Sequence, residues 1–168
     1  MDNLLAEVMK KLQEREERKI DVSYGQSVTP PSSKLFLSHG KVNLTNVTIG
    51  LIKGLYSMDK DQDWVNWILT GLSYDVKFYF NVTEQMINFI PRYMILDWPI
   101  IFVLNGTAPI VASRSNSITR TELAALPDKA ILVRYYRQLL TDEGREICHY
   151  KQIKIKVRTE ENCIWQEL

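Results

Sequence analysis

Leu4, Leu5, Val8 and Leu12 recur at helical spacing among polar neighbours, so residues 2–19 are expected to form an amphipathic helix. Its end is fully polar, from Glu14 to Lys19. The apolar stripe lasts about two turns, too short to specify a coiled coil. Alone in water such a helix is marginal. It lies on its own domain, frays, or docks on a partner or another subunit. Residues 21–34 carry Gly25, Pro30 and Pro31 among small polar residues and read as an extended linker. A folded domain is expected from Lys34.

The pattern then shortens. KLFLS and KVNLT read as a strand pair turning at Ser38–His39–Gly40. Ile49, Ile52, Leu55 and Tyr56 mark a helix. Trp64, Val65, Ile68 and Leu69 mark a second, capped by Asp61 or Asp63 and stopped at Gly71. VKFYFNV is a strand, TEQMINFI a short helix ended by Pro91, and Trp98–Leu104 a buried strand. Asn105–Gly106 predicts a hairpin into APIVAS, and residues 113–121 read as the longest loop, with a short helix from Thr121. AILVRYYRQLL, REICHYKQIKIKVR and the last residues read as sheet, with turns at TDEG and at Thr159–Asn162. No internal repeat is evident.

Helices early and strands late predict an α+β fold. The expectation is a single globular domain, residues 34–168, with a mostly antiparallel sheet packed against two or three helices. An N-terminal helix and flexible arm, residues 1–33, precede it.

The chain has 168 residues, about one domain's length, and a formal net charge of +1, so overall charge selects no class of partner. Residues 1–20 lack the apolar core of a secretory signal. Cytoplasmic localisation is therefore expected, and the sequons at Asn43, Asn46, Asn81 and Asn105 read as chance matches. Cys148 and Cys163 belong to no CxxC pair and read as reduced thiols. In the expected C-terminal hairpin they lie too far apart to bridge.

No nucleotide-binding, hydrolase or metalloprotease motif occurs, so neither an enzyme, a cofactor nor a small-molecule substrate is expected. The two histidines, His39 and His149, lie far apart in sequence. Asp59–Asp61–Asp63 starts like a calcium loop, but Trp64 and Thr70 stand where glycine and glutamate are required, so no metal is expected. One basic pattern remains. In KQIKIKVR, Lys154, Lys156 and Arg158 alternate with Ile153, Ile155 and Val157, which predicts an aliphatic face inward and a row of cations outward. It is either a solvated or protected edge or a stripe for phosphate groups of RNA or anionic lipid, widened by Arg134 and Arg137.

The order of elements, with a proline pair in the arm (VTPPSS), a first strand GKVNLT and the helical stretch LIKGLYS…WVNWILTGL, resembles rhabdovirus matrix proteins of the plant cytoplasmic type. The resemblance implies a non-enzymatic virion protein that self-associates, condenses the viral nucleocapsid and bridges it to an anionic membrane surface. Self-association would run through Leu4, Leu5, Val8, Leu12, Pro30 and Pro31. The alternative is an RNA-binding accessory protein, such as a suppressor of RNA silencing.

Overall fold

The computed structural model describes residues 1–166. They form two compact units divided between Asn81 and Val82.

In the first unit, α1 (Asp2–Glu17) leads into β1 (Lys19–Ser23), and a 3-10 turn (Ser33–Leu37) precedes β2 (Lys41–Thr45). α2 (Ile49–Tyr56) and α3 (Asp63–Ser73) then lead to β3 (Lys77–Val82). All three strands run parallel, with Ile20 beside Val42 and Val42 beside Phe78. Their apolar positions Val22, Val42, Leu44, Phe78 and Phe80 are buried. Phe36, Trp67 and Phe78 pack on that face with ring centroids 4.8 to 6.2 Å apart. Gly71, read as a helix stop, lies inside α3, and a β-carbon there would fall 2.6 Å from Phe78 Cζ. It is a packing glycine that lets the helix approach the rings.

The second unit opens with a 3-10 helix (Glu84–Phe89) and α4 (Arg92–Asp97). β4 (Ile100–Leu104) and β5 (Ala108–Ala112) form the expected hairpin, with both Asn105 and Gly106 at positive φ. Next come β6 (Ser117–Ile118), α5 (Arg120–Ala124), β7 (Ile131–Tyr135), β8 (Leu139–Leu140), α6 (Asp142–Tyr150) and β9 (Lys154–Arg158). β5–β6–α5 and β7–β8–α6 are two turns of one coil. Ile110 pairs with Ile131, Ile118 with Leu140, and Ile131 with Lys154, a repeat of roughly 22 residues, within the range of stacked strand–helix repeats. Ile118 and Leu123 from the first turn share a core with Leu132, Leu140 and Cys148 from the second, and with Ala130 and Ile153, which stand just before β7 and β9.

The expectation of an α+β fold with a mostly antiparallel sheet is therefore corrected. The chain is α/β, and among the described pairings within each unit only β4–β5 is antiparallel. Two misread segments account for the change. Lys19–Ser23, placed in the flexible arm, is a strand paired with β2. REICHY, read as strand, is α6. Thr141 accepts from the Gly144 N–H, Asp142 and Glu143 occupy the first turn, and Gly144, Ile147 and Cys148 turn inward at helical spacing. The helix replaces the turn expected at TDEG, so that β7 and β9 pair parallel across it. The strand expected after the turn at Thr159–Asn162 is not one either: Ile164–Gln166 is a 3-10 turn, and the last two residues lie outside the described ones. KLFLS is likewise a 3-10 turn and not a strand.

Candidate assembly surface

α1 is fixed at one end only. Arg15 Nε donates to the Phe36 carbonyl (2.8 Å), and its terminal nitrogen donates to that of Tyr74 (2.5 Å). The Gly40 N–H donates to the Arg15 carbonyl at 2.7 Å. A β-carbon at Gly40 would lie 2.8 Å from both the Arg15 oxygen and Glu16 Cα, so only glycine admits this approach. Beyond this anchor no residue of α1 is buried. Leu4, Leu5, Val8, Met9 and Leu12 are all exposed, Leu5 at 66% and Leu12 at 48%. Met1, Leu5, Val8 and Leu12 follow a four–three–four spacing, and Arg15 continues it. The face that presents the stripe is thus the face that meets Phe36 and Tyr74 at the helix end.

Pro30 and Pro31, grouped with the stripe from the sequence, belong instead to a loop held by Trp64, whose Nε1 donates to the Gly25 and Val28 carbonyls at 3.0 and 2.7 Å. An open cleft of ≈ 740 Å³ lies there, lined in part by Tyr24, Thr48, Asp61 and Asp63.

The five cations expected to make an anion stripe have separate environments. Lys154 is exposed. Lys156 pairs with Glu84 at 2.7 Å, and this bond holds the Glu84 carboxyl below its usual range. Arg158 is only 3% exposed. Its guanidinium donates to the carbonyls of Ile87, Ile90 and Asn162, and burial lowers its pKa to about 10. Val157, expected inside, is 52% exposed. Arg134 is half-buried and donates to the Gln138 carbonyl, while Arg137 is exposed and lies over the Tyr136 ring. A second buried cation escaped the sequence reading. Arg92 donates to the Glu161 and Ser113 carbonyls at 2.7 and 2.8 Å. Its signal is a lone arginine within the apolar run FIPRYMI.

His39 meets Ser38 Oγ at 2.9 Å, and His149 is exposed on α6 while Cys148 beside it faces the core. Cys148 and Cys163 are both buried and form no disulfide. Asp59 accepts from the Asp61 N–H and from Gln62 Nε2, bonds that shape the start of α3. Among the described residues no cluster of three metal-ligating side chains occurs. No helix among them is long and apolar enough to cross a membrane.

Fold and surface define an α/β protein that presents an amphipathic helix with its apolar face uncovered. A family model described as "Putative propanediol utilisation" matches residues 3–154, and the chain belongs to this PDU-like family. No curated protein matches it, and no solved structure does. The membership corrects the resemblance to rhabdovirus matrix proteins, and with it the virion role and the suppressor alternative. The shared order of elements rested on a C-terminal sheet that contains a helix.

Proposed function

We propose that this chain is a non-catalytic assembly protein of a propanediol-utilisation system, joined through α1 to a second copy of itself. The observation that carries the reading is a sixteen-residue helix anchored by its last turn and buried nowhere along its length. An apolar helix stripe held out in water is a docking element.

The anchor sets the orientation. A helix laid parallel along the stripe would reach the layer of Arg15, where Phe36 and Tyr74 already stand. An antiparallel helix avoids them. Met1 then faces the partner's Leu12, and Leu5 faces the partner's Val8. Asp2 comes level with the partner's Lys11, whereas parallel pairing would set Lys10 and Lys11 beside their own copies. The helix dipoles also oppose favourably. With only four apolar layers the interface is small, below about 1,200 Å², so exchange is expected to be reversible.

Sedimentation of the full chain should show a dimer that grows with concentration. Leu5→Glu with Leu12→Glu should abolish it and leave the circular dichroism unchanged. Mixing a Leu5→Cys chain with a Val8→Cys chain should give mainly the mixed disulfide. A native chain that stays monomeric at every concentration overturns the pairing, and a preference for the two homodisulfides overturns the orientation.

A further inference from the structure

The three strands of the first unit share a pattern that only their register makes visible. β1 reads KIDVS, β2 KVNLT and β3 KFYFN over its first five residues. In each a lysine opens the strand, two apolar residues point into the core, and polar or aromatic residues alternate outward. The register sets Lys19 beside Lys41 and Lys41 beside Lys77. Asp21 beside Asn43, and Asn43 beside Tyr79, make the next row. Ser23 beside Thr45 begins a third.

This face is open. Lys19 and Lys77 are exposed, and Lys41, Asn43 and Tyr79 are half-buried. None of the three lysines is in an ion pair among the described residues. Like charges directly opposite one another on adjacent strands destabilise a sheet, and here three stand in one row. The row behind them is organised by its own bonds. Asn43 Nδ2 donates to Asp21 Oδ1 at 2.8 Å, and Asn81 donates to the Asn43 side-chain oxygen. The Lys19 ammonium reaches over the Tyr79 ring, 5.0 Å from its centre.

We propose that this face is a binding site for a small phosphorylated, hydroxyl-bearing molecule, a use independent of α1. The lysine row takes the phosphate. Strands lie about 4.8 Å apart, so two neighbouring ammonium groups bracket one phosphate and three span two. The second row lies about 7 Å along the strands, the distance of two residues. There Asp21 accepts from ligand hydroxyls, and Tyr79 offers a phenol and a ring face. A nucleic acid fits less well. Its backbone needs a continued cationic track, and the row of lysines is followed directly by a carboxylate.

The test titrates the full chain with inorganic phosphate, pyrophosphate, glycerol phosphate and a single-stranded RNA, at fixed ionic strength. Lys41→Gln removes the central cation. Saturable binding of pyrophosphate or glycerol phosphate is expected, weakened at least tenfold by Lys41→Gln. Without ligand the variant should melt no lower than the native chain, because the substitution relieves repulsion. Pyrophosphate should raise the melting temperature of the native chain and leave that of the variant unmoved. Absence of binding by all three phosphates, equal binding by the folded variant, or binding of RNA alone would each overturn the proposal.

Discussion

Arg158 shows how far a single residue can depart from its pattern. Its place in KIKVR suggests a solvated cation, yet the guanidinium ties Ile87, Ile90 and Asn162 together from a buried position. Burial lowers its pKa to about 10, which leaves it charged at neutral pH. Hydrogen bonds from a charged donor are each worth about 1.5–3 kcal/mol, set against the desolvation of the cation. Arg158→Met should therefore cost about 2 kcal/mol, read as a lower urea midpoint at pH 7. Lysine should not restore it, since one ammonium cannot reproduce a planar fork. An unchanged midpoint in the methionine variant would remove the clamp from the account. Alternation along one strand could not reveal this role, because two of the three acceptors, the Ile87 and Ile90 carbonyls, come from a segment far away in sequence.

At the scale of elements, the signals that were legible were local ones. Asn105–Gly106 specified its hairpin, and the apolar spacing of residues 49–56 and 64–69 specified α2 and α3. The segment AILV in β7 was recognised as strand, but its meaning lay in its continuity. Ile131, Leu132 and Val133 are all buried, as in a parallel strand covered on both faces. α6 was hidden by the β-forming residues of EICHYKQIKIKV, which outweighed a clear start at Thr141–Asp142–Glu143. That start has measurable weight. Thr141 Oγ1 accepts from the Gly144 N–H at 3.0 Å, so Thr141→Ala should cost about 1 kcal/mol. Serine should restore most of it. Equal stability of the alanine and native chains in urea would mean that α6 is set by packing alone.

For the whole molecule, neither candidate site could be read in full from the sequence, and the reasons differ. The α1 stripe was visible as spacing, but its exposure depends on an anchor formed by Gly40, Phe36 and Tyr74. The lysine row was invisible because Lys19 was assigned to a helix end and Lys77 followed no motif, and only parallel register joins them. The coil of the second unit was hidden in the same way. Its repeat is one of burial at Ile118 and Leu140 or Ala130 and Ile153, with little identity between the turns.

That shared core also makes global stability sensitive to alkali. Cys148 lies among Leu140, Ile153 and Ala130, and desolvation raises its thiol pKa above the ordinary 9.0, against a smaller opposite effect of Arg145. A folded-state pKa above the unfolded value means that the unfolded chain loses its proton first as pH rises. The contribution of the buried thiol is fully present below pH 9 and is lost as pH climbs through the folded-state value. Urea midpoints measured from pH 7 to pH 10.5 should accordingly fall in the upper part of that range. Cys148→Ala should start lower, by about 1 kcal/mol for the lost packing, and should decline less steeply because it has no thiol to ionise. Parallel declines in the two chains would show that the alkaline loss arises elsewhere and that Cys148 is not desolvated in the way its place in the core requires.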